Sequence, residues 1–229
     1  MNQQIKEIKQ PCCQNSFKTI EDCDNCESCC HFCDEGLETP LYCFSCDKIQ
    51  KQEKAPDYFR LFSLEPSFSI DPERLNEEYD KLIEALHPDF HVQGSSHDQS
   101  LSLDYTALIN EAKNILEDPF LRGKYLLSLV HPDAATLPRE LPQDFIMNMF
   151  MLQEALEELE GGNGTEEEHI RVTGEIDQLK NSLEQELEQK FSLLLQNLEQ
   201  SDILSEIQYA LAKLKFIVNL EEKLKEVAL

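Results

Sequence analysis

The fold prediction rests first on residues 57–90, DYFRLFSLEPSFSIDPERLNEEYDKLIEALHPDF. Asp71 suits the N-cap of a helix because its carboxylate can accept hydrogen bonds from free backbone N–H groups, and Pro72 suits the first helical position. Apolar side chains then recur at helical spacing, at Leu75, Tyr79, Leu82, Ile83 and Leu86. Since proline disfavours helix in the residue before it, this helix should end at His87.

Two further helices are predicted after the polar loop HVQGSSHDQS at 91–100. The first of them should stop at Pro119, and its apolar stripe comprises Leu108, Ile109, Ala112, Ile115 and Leu116. The second is shorter, with apolar positions at Leu121, Tyr125, Leu126 and Leu129. Together with the helix before the loop, they predict a compact helical segment over residues 57–130.

Residues 140–229 carry three long amphipathic stripes. The first comprises Phe145, Met149, Leu152, Leu156 and Leu159, and it is interrupted by GGNG at 161–164. The second comprises Ile176, Leu179, Leu183, Leu187, Phe191, Leu194 and Leu198. The third comprises Ile203, Ile207, Leu211, Leu214, Ile217, Leu220 and Leu224. Three stripes joined by short breaks predict an antiparallel three-helix bundle, so the expected fold class is all-α.

The composition favours helices and disfavours several classes of partner. Gly occurs only 7 times and Trp is absent, while Leu, Glu, Gln and Lys dominate the second half. The formal net charge of −25 argues against nucleic acid and anionic membranes, since both require clustered Lys and Arg. No stretch is apolar enough to span a bilayer, the first residues have no secretory h-region, and no P-loop occurs. We therefore expect a cytoplasmic protein that binds no nucleotide and does not hydrolyse ATP itself.

All 9 cysteines lie before position 47, which predicts a metal-binding module within residues 1–55. In a reducing compartment, clustered thiols are better explained as metal ligands than as disulfides. One zinc ion can be bound tetrahedrally by the thiolates of two CxxC pairs, Cys30, Cys33, Cys43 and Cys46. We therefore predict a structural zinc module over residues 30–46. Too few apolar residues surround it for a free-standing core, so the metal should supply folding energy directly.

The other cysteines leave the choice of ligands open. Cys26 and Cys29 could replace Cys30 and Cys33 as the first pair, although the shorter loop and the flanking aromatic residues favour the latter pair. A second metal, an iron–sulfur cluster or free redox thiols are alternatives for Cys12, Cys13, Cys23, Cys26 and Cys29. A thiol oxidoreductase is disfavoured because no βαβ pattern surrounds the CxxC pairs.

Residues 57–90 resemble the start of a J domain, a fold in which a His-Pro-Asp tripeptide lies between two antiparallel helices. INEAKNILEDPFLRGKYLLSL at 109–129 and AKLKFIVNLEEKL at 212–224 are similar to HscB, the J-type co-chaperone family of iron–sulfur cluster biogenesis. The resemblance covers nearly all of residues 57–229. It implies that the segment 57–130 is an N-terminal J domain, a helical hairpin with an HPD loop, which precedes the three-helix bundle.

The resemblance implies a co-chaperone with two partners. It would stimulate ATP hydrolysis by an HscA/DnaK-type chaperone and deliver to it the IscU-type scaffold on which the cluster is assembled. The chaperone-binding tripeptide maps to His87, Pro88 and Asp89, so we expect the second His-Pro-Asp, at 131–133, to be a coincidence. Eukaryotic relatives carry a similar double-CxxC module, and in a eukaryote the compartment would be the mitochondrial matrix. A general J-domain adaptor that serves a different client is the alternative function.

The family's scaffold-binding face maps onto the first helix of the bundle and one residue of the last. The implied residues are Ile146, Met147, Phe150, Glu154, Glu158 and Phe216. The family often has an acidic residue where Met151 stands, so the polar half of this face should be altered. Independently of the resemblance, Met147, Met149, Phe150 and Met151 surround more than one side of the helix, so some of them should be exposed.

The helix before His87 departs from the family pattern in its charge. J domains usually carry a basic helix here, which meets an acidic chaperone surface. This helix instead contains more acidic than basic residues. The acidic residues are Glu73, Glu77, Glu78, Asp80 and Glu84, and the basic residues are Arg74 and Lys81. Electrostatic steering should therefore be weak or reversed, and either the chaperone has compensating charges or docking rests on the tripeptide and apolar contacts.

Overall fold

The computed structural model describes residues 30–33, 35–132, 136–162, 164–196 and 201–227. Within these ranges it contains seven α-helices and one short antiparallel hairpin, which confirms the predicted all-α class. The elements are β1 Tyr42–Cys43, β2 Lys48–Ile49, α1 Tyr58–Leu61, α2 Pro72–Leu86, α3 Ser96–Glu117, α4 Pro119–Val130, α5 Gln143–Glu160, α6 Glu166–Gln196 and α7 Ser201–Val227. None of the helices described combines the length and the apolarity that crossing a membrane requires.

The described residues form two compact units. The first contains the chain up to Glu65 together with Asp71–Lys113, and the second contains Pro66–Ile70 together with the chain from Asn114 onward. The first unit thus holds the hairpin, α1, α2 and most of α3, while the second holds α4 to α7. The domain limits expected from the sequence stay predictions.

Helix α2 begins and ends where its local sequence signals predict. The Asp71 carboxylate accepts a hydrogen bond from the backbone N–H of Glu73 at 3.0 Å, and Pro72 occupies the first turn. The side chains that the helix buries are Leu75, Leu82 and Leu86. At His87 the backbone becomes extended, with φ −60° and ψ 132°, so the helix ends before Pro88.

Helices α5, α6 and α7 pack against one another and form the predicted bundle. Its buried side chains include Met149, Leu152, Leu156, Val172, Ile176, Leu183, Leu187, Phe191, Leu194, Ile207, Leu211, Leu214, Ile217 and Leu220. Two ion pairs also join α6 to α7, Lys180 with Glu221 at 2.6 Å and Lys190 with Glu206. Burying one Leu or Ile contributes roughly 2 kcal/mol, and a partly exposed ion pair at the surface contributes on the order of 1 kcal/mol or less. Because many more apolar side chains than ion pairs are involved, apolar burial is the main source of the bundle's stability.

Helix α4 packs against α6 and α7 in the second unit. Its Arg122 donates hydrogen bonds to the backbone carbonyls of Phe68 at 2.6 Å and Leu116 at 2.5 Å. Burial lowers the pKa of the Arg122 guanidinium, and these carbonyl acceptors replace the water that the group has lost. The ring of Phe68 stacks on the ring of Phe191, with centroids 5.5 Å apart, so the segment Pro66–Ile70 is held beside α6.

Gly123 of α4 lies at a point where a larger residue does not fit. A Cβ atom at this position would lie 2.5 Å from Leu211 Cδ2 and 3.0 Å from the ring of Phe68. Both neighbours are buried, so they cannot move aside without disturbing the core. We expect Gly123→Ala to lower the free energy of unfolding by about 1–3 kcal/mol, the usual effect of overpacking, as measured by denaturant titration.

Gly174 of α6 provides the matched control for this substitution. No atom lies within 4 Å of a Cβ built at Gly174, and the residue is exposed. Gly174→Ala should therefore raise the free energy of unfolding by about 0.5–1 kcal/mol, because Ala favours helix over Gly. Changes of the same sign and size in the two variants would contradict the close packing at Gly123.

Candidate functional site

The first candidate site is the turn that follows α2. Pro88 opens a single 3-10 turn, Pro88–His91, in which the ring Nδ1 of His87 accepts a hydrogen bond from the backbone N–H of Asp89 at 3.3 Å. The side chains of His87 and Asp89 are 45% and 84% exposed. The turn therefore presents an imidazole and a carboxylate to solvent on a backbone that the proline ring restrains.

The backbone before this turn is held by two hydroxyl groups of α3. The carbonyl of Leu86, at the end of α2, accepts hydrogen bonds from Ser102 Oγ at 2.6 Å and Thr106 Oγ1 at 3.3 Å. The last carbonyls of a helix have no partner within the helix, so these bonds fix its end and the start of the turn. The sequence reasoning missed both residues, although their spacing of four places them on one helix face.

The exposed surface of α2 is acidic, as the sequence predicts. Lys81 Nζ pairs with Glu78 Oε1 at 2.7 Å, and the guanidinium of Arg74 donates to the carbonyl of Ser63 at 2.8 Å. The hydrogen bond to Glu78 raises the pKa of Lys81. Both cations of α2 thus have partners, and the remaining exposed carboxylates are those of Glu73, Glu77, Asp80 and Glu84.

The second His-Pro-Asp has a different setting from the first. His131 is the C-cap of α4, where its backbone N–H donates to the carbonyl of Leu127 at 2.8 Å, and Pro132 follows it. Asp133 lies outside the described residues. This copy belongs to the second unit and leads into the connector before α5, whereas the first copy joins α2 to α3. That the second copy is a coincidence stays a prediction.

The second candidate site is an exposed face on the bundle, formed by α5 and one residue of α7. Met149 is buried, whereas four neighbouring apolar side chains of α5 are exposed, namely Ile146, Met147, Phe150 and Met151. This agrees with the expectation that only some of these residues belong to the core. Glu154 and Glu158 are also exposed and follow Ile146 and Phe150 at intervals of four residues, so they continue the same helix face.

Phe216 extends this face onto α7. Its side chain is exposed, and its ring meets the ring of Phe145 edge-on at a centroid distance of 6.4 Å. The two helices thus place the six residues implied by the resemblance on one surface of the second unit. That surface, formed by Ile146, Met147, Phe150, Glu154, Glu158 and Phe216, is called the α5 face below. Its role in binding stays a prediction.

The third candidate site is a cluster of four thiols at the β1–β2 hairpin. The Sγ atoms of Cys30, Cys33, Cys43 and Cys46 all lie within 4.8 Å of one another. The distance is 3.6 Å between Cys30 and Cys46 and 3.7 Å between Cys33 and Cys43. A disulfide requires about 2.0 Å, whereas four sulfurs around a central zinc ion, each at about 2.3 Å, lie about 3.8 Å apart. The cluster can therefore hold a tetrahedral metal ion.

The hydrogen bonds around Cys30 favour its thiolate form. Burial raises the pKa of this thiol, but the backbone N–H groups of Phe32 and Cys33 and the Cys46 thiol lower it, and the result is a pKa of about 7. The N–H of Phe32 lies 3.3 Å from the Cys30 sulfur. Because a metal ligand must be deprotonated, such donors prepare the Cys30 sulfur for a cation. Burial and the hydrogen bond to Cys30 instead raise the pKa of Cys46, so a cation would have to displace the proton of that thiol.

The thiol cluster is attached to α3 within the first unit. The hydroxyl of Tyr105 accepts a hydrogen bond from the N–H of Gln52 at 3.0 Å and donates to the carbonyl of Gln50 at 3.0 Å. Leu41, Tyr42 and Ile49 of the hairpin region are buried. The alternative thiols Cys12, Cys13, Cys23, Cys26 and Cys29 lie outside the described residues, so the choice of ligands stays a prediction.

Known proteins resemble this chain over most of its length. Residues 141–225 match the family model of the HSCB C-terminal oligomerisation domain. A co-chaperone protein HscB homolog of Shewanella loihica is 30% identical over 170 residues, which cover 74% of this chain and 95% of the relative. The human iron–sulfur cluster co-chaperone protein HscB is 27% identical over 194 residues, covering 83% of this chain and 76% of the relative. The crystal structure of human co-chaperone protein HscB gives a TM-score of 0.66 at 26% identity, over 86% of this chain and 96% of that chain.

Proposed function

This chain belongs to the HscB family of iron–sulfur cluster co-chaperones, and on that premise we propose that it couples an HscA/DnaK-type chaperone to an IscU-type scaffold protein. In this proposal the chain is not an enzyme itself. It binds one state of the chaperone better than the other and so shifts the chaperone toward ATP hydrolysis. We place it in the bacterial cytoplasm, or in the mitochondrial matrix if its source is a eukaryote.

The observation that carries the proposal is the exposed turn at His87, Pro88 and Asp89. Its carboxylate can accept from an Arg or a backbone N–H of the chaperone, and its imidazole can donate or accept. Because α2 is acidic, docking should depend on this turn and on apolar contacts such as the exposed ring of Phe90, which lies edge-on to His87 at 6.2 Å. Attraction by α2 would require a chaperone with a basic surface.

We assign scaffold binding to the α5 face. Exposed aromatic and Met side chains are typical of partner surfaces, since they provide apolar area that adapts to a second protein. The acidic end of the face, at Glu154 and Glu158, would orient a scaffold that carries basic residues there. A general J-domain adaptor would use the same turn with a different client on this face.

We also propose a structural zinc ion held by Cys30, Cys33, Cys43 and Cys46. All four donors are cysteine sulfurs, and a closed set of four sulfur ligands is typical of structural rather than catalytic zinc. When bound, the metal would cross-link the Cys30–Cys33 loop to the hairpin. Apart from cysteines, the described residues of the hairpin region bury three apolar side chains, those of Leu41, Tyr42 and Ile49.

The test of the proposed function is the steady-state ATPase rate of an HscA-type chaperone, with and without an IscU-type scaffold. Adding this chain should raise the rate with the chaperone alone, and should raise it further when the scaffold is present. Stimulation without any effect of the scaffold would indicate an adaptor with a different client. The absence of stimulation by any chaperone of this class would overturn the proposal.

Phe150 is the residue whose loss should weaken scaffold binding most. Its ring is 59% exposed at the centre of the α5 face, so Phe150→Ala removes contact area without a cavity in the core. We expect the dissociation constant for the scaffold to rise about 30-fold, which corresponds to about 2 kcal/mol for a central aromatic contact. Isothermal titration calorimetry measures this change.

Ile170→Ala is the control for this truncation. Ile170 is also an exposed apolar residue of the bundle, but it lies near the start of α6 and outside the α5 face. The control should bind the scaffold as the unmodified chain does, and both variants should keep the same melting temperature. Equal affinities of Phe150→Ala and the unmodified chain would mean that the scaffold binds elsewhere.

A further inference from the structure

A groove of about 200 Å³ lies beside the α5 face, in the second unit. Its walls come from the connector before α5, from the first turn of α5 and from α7, and include Leu137, Arg139, Leu141, Ile146, Lys215 and Phe216. Ile146 and Phe216 belong also to the α5 face. The groove therefore continues that face toward the connector, whose residues the resemblance did not include.

Two basic side chains, those of Arg139 and Lys215, line this groove. No described carboxylate forms an ion pair with Arg139 or Lys215, and the Lys215 ammonium instead lies 5.8 Å from the ring centroid of Phe120. Lys180, Lys190 and Lys225 of the same unit pair with carboxylates, whereas no described ion pair involves Lys213 or Lys223. In a chain with a formal net charge of −25, two exposed cations at one apolar groove, neither of which pairs with a described carboxylate, form a local site for an anionic group.

We propose that this groove receives a segment of the scaffold protein in which an apolar side chain is adjacent to an Asp or Glu. This inference rests on the proposed function, because it names the chemistry of the scaffold that the α5 face binds. The apolar side chain would lie between the connector and Phe216, and the carboxylate would lie beside Arg139 and Lys215. Guanidinium and ammonium groups are well suited to a carboxylate at the rim of an apolar contact.

The charges along the surface would then fix the orientation of the scaffold. Its cationic end is at Arg139 and Lys215, and its acidic end is at Glu154 and Glu158 on the later turns of α5. From residue 146 to residue 158 the helix rises by about 18 Å, at about 1.5 Å per residue. A partner with the opposite arrangement of charge fits in one direction only, and the reversed orientation brings like charges together.

The test is charge reversal at the groove with matched reversals elsewhere in the same unit. Arg139→Glu and Lys215→Glu are compared with Arg171→Glu on α6 and Lys223→Glu, which lies about 12 Å further along α7. Each pair changes the net charge equally, and Arg139 and Lys215 are both exposed, so the fold should not change. Binding of the scaffold is measured by calorimetry at low and at high salt, alongside Phe150→Ala.

The double variant Arg139→Glu/Lys215→Glu should weaken scaffold binding at low salt by about tenfold or more, and its affinity should depend less on salt than that of the unmodified chain. The control pair should stay within about twofold. A double variant that binds as tightly as the control pair overturns the groove proposal, while the proposed function stands if Phe150→Ala still weakens binding. An unmodified chain that does not bind the scaffold overturns both.

Discussion

Replacing His87 by Gln should abolish the stimulation of the chaperone ATPase by this chain, whereas the same replacement at His131 should leave it unchanged. In the turn after α2, the His87 ring accepts the N–H of Asp89 and meets the ring of Phe90 edge-on. Gln keeps a polar side chain but lacks the planar ring. It also has no acceptor atom at the position of Nδ1, which accepts the Asp89 N–H. We expect the stimulated ATPase rate to fall by about tenfold or more. This corresponds to an increase of at least about 1.4 kcal/mol in the activation free energy of hydrolysis.

His131→Gln is the matched control because it makes the identical substitution at the other His-Pro-Asp. There the backbone N–H of His131 caps α4, and Gln keeps this N–H, so the substitution should leave the cap in place. Steady-state ATPase measurements should thus separate the two variants, and circular dichroism should show both to be folded. Loss of stimulation in His131→Gln alone would move the docking site to the connector before α5, and equal loss in both would contradict the assignment to one turn.

Removing zinc should unfold the region around the β1–β2 hairpin. Metal analysis of protein purified under reducing, anaerobic conditions should find one zinc ion at the cluster. Binding of structural zinc to small peptides is worth on the order of 10 kcal/mol, whereas each buried side chain, such as that of Leu41 or Ile49, contributes roughly 2 kcal/mol. A chelator should therefore abolish the hydrogen-exchange protection of residues 41–50, while α5, α6 and α7 stay protected.

Cysteine variants test which thiols hold the metal. Cys43→Ser should lose the zinc and reproduce the effect of the chelator, because its sulfur lies 3.7 Å from that of Cys33 within the cluster. Cys26→Ser and Cys29→Ser are the controls for the alternative first pair and should keep one zinc ion. Loss of zinc in these two variants, with retention in Cys30→Ser, would reverse the choice of ligands. Protein that contains no zinc at all would rule out the structural-zinc assignment.

Features that depend on neighbouring residues could be predicted from the sequence. The limits of α2 follow from the Asp71 cap, from Pro72 and from the proline after His87, all of which act within one helical turn. The three bundle helices follow from stripes of regular period, because only one face of each can be buried. Only one face of α5 can be buried, and the adjacent residues Met149 and Phe150 do not both lie on it. Met149 is buried and Phe150 is exposed.

Features that depend on contacts between distant residues could not be predicted in this way. The stacking of Phe68 on Phe191 and the close approach of α4 to Leu211 join parts of the chain that no periodic pattern connects. The position of Arg139 at the groove is of the same kind, because it depends on the path of a connector whose described residues, 136–142, form no helix or strand. The four thiols are the exception, since the chemistry of CxxC pairs indicates a long-range cluster from spacing alone.

The short segment Pro66–Ile70 has a consequence for the order in which the chain folds. During synthesis this segment leaves the ribosome early, but Phe68 stacks on Phe191, which is made much later. The second unit therefore cannot complete its core until α6 and α7 have been translated, and an isolated bundle beginning at residue 140 would lack one of its aromatic contacts. Until α6 emerges from the ribosome, the ring of Phe68 lacks this partner, so the nascent chain exposes an apolar side chain that the finished protein buries.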